Sequence, residues 1–331
     1  VVACVPPGRS KLHHPRLLLE FLRKQRGADL ILVGFYGQLM LPFVRLFTKK
    51  PIAFDVYAAT YGTLVEDRRL LKAGSLAAKL VWFVDHLAMR AADGLILDTN
   101  HQIRCFAETY RVSVDKFTRI FLSSDDSVMQ PRAPRASDGR FRLHFHGEYA
   151  PFHGVDVILR AAKALERQGV DFRLIGTGIT YERDRQLATE LGLTNVTFID
   201  RVPYAELAQH MAEADACLGI FGDNPRAGRE LTNKVVEAMA VGQPLITRRN
   251  PAVEELLCDG ESALLVEPGR PEALVSAILR LKNEPELREK LGQNAHRVFQ
   301  ERCTQAVFAG QLKLTIEALV SRAREPARLS R

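Results

Sequence analysis

The stretch Asp215–Arg249, DACLGIFGDNPRAGRELTNKVVEAMAVGQPLITRR, decides how this chain is read. Ala216–Ile220 is a short apolar run of buried-strand length. Gly222, Pro225 and Gly228 then break the chain into a loop carrying Arg226 and Arg229. Thr232 and Asn233 are favoured N-cap types, so a helix is expected over Thr232–Val241, with Val235, Val236, Met239 and Ala240 on its apolar face. Gly242 and Pro244 end it, and Leu245–Thr247 is a second buried strand. Chemistry is expected at the helix start, where free N–H groups and the positive dipole end favour a phosphate. Lys234 in the first turn, with Arg226 and Arg229 in the loop, adds positive charge. Glu237 lies one turn further on the same face, and its carboxylate suits ribose hydroxyls, which are donors. The plain alternative is a βαβ unit whose charges are all solvated.

The same rhythm runs outward in both directions. Ahead of the stretch, strands are expected at Val1–Val5, Leu30–Val33, Ile52–Phe54, Gly94–Leu97 and Arg119–Leu122. Helices are expected at Pro15–Gln25, Leu41–Phe47, Leu70–Ala92 and His101–Tyr110. After a Pro- and Arg-rich linker at Met129–Arg140 the rhythm restarts at Arg142–Phe145, Val155–Gln168 and Phe172–Ile175, and continues to the final helices. Alternation of this kind predicts two doubly wound α/β domains with mostly parallel sheets, at 1–131 and 138–303, followed by a C-terminal segment 304–331. Ligands of such sheets bind at the carboxyl ends of the strands. The chain begins at Val1 in an apolar run, which points to a first domain lacking its start.

At 331 residues, 47% hydrophobic and 26% charged, the composition is that of an ordinary globular protein. Its net charge of +7 favours phosphate-rich partners. No zinc-finger or RNP-like pattern occurs, so nucleic acid is not expected. The five cysteines are scattered without metal or disulfide spacing, which fits a reducing cytoplasm. The basic amphipathic segment Arg16–Arg26, with Arg45, Lys49 and Lys50, raises the expectation of an anionic membrane surface as a partner, on the inner face.

Further candidates sit at other strand ends. His144, His146 and His153 lie within ten residues, but neither carboxylate nor cysteine completes a metal set. Gly147, Gly154, Gly176 and Gly178 occupy strand-to-helix turns, where a ligand needs close approach to backbone. Val202 and Phe221 follow strands and could face a base. Asp55 ends a buried strand of the first domain.

Taken together, the turn Gly147…His153-Gly154, LIGTG (174–178), NVTFIDRVPYAEL (195–207), ADACLGIFG (214–222), TNKVVEAMAVGQPLIT (232–247) and DGESALLVEPGRPEAL (259–274) resemble the donor-binding half of a GT-B fold glycosyltransferase of family 4. AFD, YGTLVEDR and AADGLILDT resemble the acceptor half more loosely. The resemblance implies two Rossmann-like domains facing a cleft, a UDP- or GDP-sugar donor, a glycan or lipid-linked acceptor, retention of configuration and no obligatory cofactor or metal. It also implies a final helix crossing back to the first domain.

Three features depart from the family pattern. The first acid of the usual pair falls at Arg229, with Glu230 one residue away, while the second matches Glu237. The usual Arg and Lys of the first turn fall at Glu148 and His153. The usual histidine of the first domain is replaced near Asp55. The expected assignment is therefore Asp55, Arg229 and Lys234 as catalytic residues. Gly147, His153, Gly154, Gly176, Gly178, Val202, Phe221, Arg226, Thr232, Asn233 and Glu237 are expected at the donor. A non-catalytic partner of the same fold, or a sugar-nucleotide epimerase, are the alternatives.

Overall fold

The structure, a computed structural model, describes residues 14–34, 37–132 and 138–324. The strand expected at Val1–Val5 lies outside them. The chain divides into two compact units, Val1–Ile120 with Ala309–Arg331, and Phe121–Phe308.

In the first unit α1 (His14–Lys24), β1 (Ile31–Val33), α2 (Leu41–Leu46), β2 (Ile52–Asp55), α3 (Leu76–Ala91), β3 (Gly94–Leu97), α4 (Asn100–Tyr110) and β4 (Phe117–Arg119) follow one another. The sheet is parallel, in the order β1-β2-β3-β4. Its core gathers Leu41, Phe54, Met89, Leu95 and Phe106. Phe21 of α1 is buried there, with Leu18 and Leu22 packed alongside, so the apolar side of this basic helix faces its own core.

One helix is shorter than its hydrophobic run suggests. Leu70–Ala92 reads as a single helix, yet α3 starts at Leu76, where Ser75 accepts a hydrogen bond from the Ala78 N–H. Arg69 and Gly74 take left-handed backbone angles, φ 50° and 79°, which a helix cannot contain. Before them, Gly62–Asp67 forms a short π-helix. Strand β4 also sits earlier than expected, although the Ile120 N–H still bonds to the Leu97 carbonyl.

The second unit runs β5 (Phe141–His146), α5 (Val155–Ala164), β6 (Val170–Ile175), α6 (Tyr181–Glu190), β7 (Val196–Ile199), α7 (Tyr204–Ala212), β8 (Ala216–Leu218), α8 (Asn233–Ala240), β9 (Leu245–Arg248), α9 (Pro251–Glu254), β10 (Leu264–Val266), α10 (Pro271–Asn283) and α11 (Pro285–Arg302). Helix α12 (Gln305–Arg324) then ends the described chain. The sheet is parallel, in the order β7-β6-β5-β8-β9-β10. Strand order thus reverses between β5 and β8, the doubly wound arrangement, and ligands of such sheets sit outside the carboxyl ends at the reversal.

Alternation along β5 decides what faces that point. Phe141, Leu143 and Phe145 enter the core beneath α5 and α10, while His144 and His146 take the opposite face. A second core on that other side holds Val235, Met239, Leu245 and Phe299. Phe121 and Met129 are buried in this second core, which is why the units part at Ile120 rather than in the Pro-rich linker.

Backbone turns close over the reversal point with no room for side chains. A Cβ on Gly154, which has φ 65°, would lie 2.3 Å from the Gly222 nitrogen, and one on Gly176 would lie 2.0 Å from the Gly147 carbonyl oxygen. Replacing Gly154 by alanine should therefore cost about 2 kcal/mol or more, from positive φ and overpacking together. Urea unfolding of Gly154→Ala should show a lower midpoint at unchanged slope; a midpoint equal to the parent's would mean the turns are not pressed together.

Candidate functional site

Helix α8 brings its first turn to the reversal point with both ionisable side chains buried. Thr232 is the N-cap, extended at φ −107° and ψ 153°, and the helix begins at Asn233. The threonine side chain does not cap, contrary to the expectation from residue type. Its Oγ1 is buried and without a hydrogen-bond partner, at a helix start whose N–H groups also seek acceptors.

Lys234 points back over β5. Its Nζ lies 3.1 Å from Nε2 of His153 and 5.3 Å from the ring centre of Phe145. Burial pushes the Lys234 amine down to about 7, against the pull of Glu237 and Glu230. Burial also holds His153 well below the usual histidine range, reinforced by Lys234. His153 stands where the family pattern has a cation, and Lys234 reaches that same place from another element.

Glu237 anchors a line of hydrogen bonds. Its Oε2 is 2.7 Å from Nε2 of His146, whose Nδ1 is 2.9 Å from Nε2 of His144. The Tyr204 hydroxyl bonds to the same carboxylate and lies 3.1 Å from Oγ of Ser124. Burial alone would raise the Glu237 carboxyl, but His146, Tyr204 and Lys234 outweigh it and hold it below the ordinary value. Burial first, then Glu237, pushes the Tyr204 phenol up to about 12. His144 is held well below its usual value by burial, then by His146, His210 and Arg173. With His144 neutral, the tautomer that donates from Nε2 to His146, with His146 donating onward to the carboxylate, satisfies every N–H of the line. This leaves only the acceptor Nδ1 of His144 without a partner.

The other expected residues divide clearly. Gly147 carries φ 148° beside the Lys234 amine, and Gly178 presses its backbone against Tyr149. Val202 is half-buried against the second core. Phe221 is corrected: its ring is in the core beneath α5, its N–H bonds to the His153 carbonyl and its carbonyl accepts from Gly269. Its ring is packed inside the unit and its backbone shapes the turn. Arg226 is held in an ion pair within the loop. Its Nε is 2.9 Å from Oε1 of Glu230 and its guanidinium lies 4.3 Å from the Phe152 ring centre, so its charge is already matched. Arg229 is half-exposed and bonds to the Pro225 carbonyl at 3.5 Å. Asn233 is exposed. Glu148 is exposed as well. Asp55 belongs to the first unit. Burial raises its carboxyl, against a hydrogen bond from the Tyr57 backbone, and Tyr57 itself takes φ 31°. Such strain clusters at functional sites.

Sequence reading missed His146 and Tyr204 as partners of Glu237. The spacing His-x-His places both histidines on one face of a strand, and that signal was available. Among the described residues no group of three or more His, Cys, Asp or Glu could hold a metal ion.

Residues 140–284 match the family described as Glycosyl transferases group 1. The second unit is thus similar, over residues 140–284, to group 1 glycosyl transferases. An uncharacterised glycosyltransferase of Methanocaldococcus jannaschii is 29% identical over 63% of the chain and 61% of its own length. The D-inositol 3-phosphate glycosyltransferase of Corynebacterium glutamicum is 27% identical over 62% of the chain and 52% of its own length. The match thus spans just over half to three fifths of these curated relatives. Among solved structures, Anabaena HepE in complex with UDP and glucose superposes with a TM-score of 0.74 at 18% identity, covering 94% of this chain and 84% of that one. The sucrose-phosphate synthase of Thermosynechococcus elongatus reaches 0.76 at 18% identity, covering 95% and 81%. Two parallel α/β sheets in this arrangement are the GT-B fold expected from the motifs.

A buried lysine of this kind has a measurable signature. Its folded pKa lies below its unfolded one, so the folded protein binds fewer protons from about pH 7 up to the ordinary lysine value of 10.5. Stability contributed by this group therefore rises with pH through that window. Lys234→Met should remove the rise and leave the protein as stable as the parent at pH 7, or more so, because a desolvated charge is replaced by an apolar chain of similar length. Thermal unfolding between pH 6.5 and 9 checks this; a large loss of stability at pH 7 would show that the ammonium is a net structural gain.

Proposed function

We propose that this chain transfers a sugar from a nucleoside-diphosphate-sugar to a glycan or lipid-linked acceptor with retention at the anomeric carbon, in polysaccharide or glycolipid assembly. The observation that carries the reading is the first turn of α8. There a buried lysine and an unpartnered threonine hydroxyl meet at the N-terminus of a helix, at the strand reversal. Neighbours crystallised with UDP or UDP-glucose favour a uridine over a guanosine donor.

In this reading the diphosphate lies at the start of α8, held by the helix N-terminus and Lys234. The sugar C1–O bond breaks toward the diphosphate, whose growing negative charge Lys234 offsets. The acceptor oxygen forms the new bond to C1, and its proton passes to the departing phosphate oxygen. Glu237 accepts from the ribose hydroxyls, oriented by His146 and Tyr204. Arg229, half-exposed at the loop, is a second candidate for the phosphate because its fork can hold two oxygens. Asp55 is the acceptor-side group, raised in pKa by burial. A cytoplasmic location against the inner face of a membrane belongs to the same reading. No described helix is long and apolar enough to cross a membrane.

Glu237→Ala should weaken UDP binding by about 1–3 kcal/mol, the range for a charged hydrogen bond; unchanged affinity by calorimetry removes Glu237 from the ribose. The Lys234 amine titrates near 7, and an anion beside it draws in a proton, so UDP affinity should fall as pH rises from 6.5 to 8.5. A flat profile would exclude Lys234 from the diphosphate. Asp55→Asn should lower turnover more than donor affinity. Release of sugar from UDP-glucose, read by NMR for the anomer first formed, separates an enzyme from a scaffold: a scaffold releases none.

A further inference from the structure

Helix α3 is apolar on two opposite sides, and only one of them meets the core. Ala78, Asp85, Ala88 and Met89 are buried against the first unit. Leu76, Leu80, Phe83 and Leu87 follow at spacings of four, three and four, which stacks them in one stripe on the reverse side. They are 85%, 63%, 52% and 40% exposed. A helix of an ordinary globular domain carries charged and polar residues on that side. Leu70, in the segment leading to the helix, is 60% exposed as well. Helix α2 packs on α3, and its Phe43 and Leu46 are also exposed. A stripe of four large exposed apolar side chains along one helix face marks an interaction site.

Charge selects the occupant. Arg69, Lys72, Lys79 and Arg90 are exposed along the same segment and helix. Lys79 and Arg90 border the stripe on one edge, since both fall within about a fifth of a turn of Phe83 at 100° per residue. The single acid of α3, Asp85, is buried on the far side, where it accepts from the Tyr61 N–H. The exposed side is therefore leucine and phenylalanine edged by cations with no carboxylate of its own, the composition of helices that lie in the headgroup layer of a bilayer. Helix α1, the basic amphipathic segment evident in the sequence, does not offer this: its apolar side is spent on the core.

We propose that the reverse face of α3, through Leu76, Leu80, Phe83 and Leu87 with Lys79 and Arg90, docks the protein on an anionic lipid bilayer. The leucines and Phe83 enter the acyl boundary and the two cations meet lipid phosphates. The inference assigns a surface to the membrane contact included in the proposed function; its test does not use catalysis, so its failure leaves the sugar-transfer reading standing.

Co-sedimentation of the full chain with vesicles of phosphatidylcholine and phosphatidylglycerol, and with phosphatidylcholine alone, tests it. The protein is expected to bind the anionic vesicles and to release them at high salt. Leu80→Glu with Phe83→Glu should abolish binding while the melting temperature stays within a degree or two of the parent's, these side chains being at the surface. Lys79→Gln with Arg90→Gln should weaken binding by roughly thirtyfold, each cation near an anionic surface contributing about fivefold. Equal binding of parent and the double glutamate variant overturns the proposal. So does a parent that ignores anionic vesicles, or one that sediments as a dimer dissociated by the glutamates, which would assign the face to a second copy. A large fall in melting temperature in the glutamate variant also overturns it, because the face would then be covered within the chain.

Discussion

Lys234 and Glu237 are buried within one turn of α8, and a charge taken out of water costs several kcal/mol unless something meets it. What meets them comes from β5 and the turn that follows. His146 bonds to Glu237, and His153 lies against Lys234. These contacts tie β5 and its following turn to the helix that follows β8, the two sides of the point where the sheet order reverses. Water must be excluded for them to count, so the turns after β5, β6 and β8 press backbone on backbone, which glycine permits at 154 and 176. The amine is left poised near neutrality as a result, an unfavourable place for a lysine in an empty site and a favourable one beside a diphosphate. In the proposed function, stability and binding are set against each other at this residue.

The departures from the family pattern make sense in the same terms. A site that gathers anionic phosphate needs positive charge at a place, and which segment supplies it matters less. The turn after β5 carries Glu148 and His153 where cations are usual, and Lys234 crosses from α8 to the side of His153. The loop arginines divide: Arg226 is neutralised by Glu230 and stacked on Phe152, whereas Arg229 stays half-exposed. Glu230, adjacent to the missing first acid, thus serves a structural ion pair.

The first unit is under a different constraint. Its sheet is covered in the ordinary way by α1 and α3, yet α3 keeps a second apolar stripe outside. Core packing gives no reason for Leu76, Leu80, Phe83 and Leu87, since polar residues there would cost nothing in the buried contacts. The proposed lipid surface gives these side chains a role that the core does not.

Sequence by itself determined the periodic features. The alternation of apolar runs and helical faces gave two parallel α/β sheets, and the cap types, Gly242 and Pro244 bounded α8 to within a residue or two. That Lys234 and Glu237 share one face of the first turns of α8 was legible because three-residue spacing is local. Tertiary structure decided their partners. His146 is 91 positions from Glu237 and His153 is 81 from Lys234, separations that no local pattern encodes. It also decided that the Phe221 ring is core, that Arg226 is matched, and that the leucines of α3 face outward. A hydrophobic period states that a side chain prefers burial; only the packing of distant segments determines which side is covered.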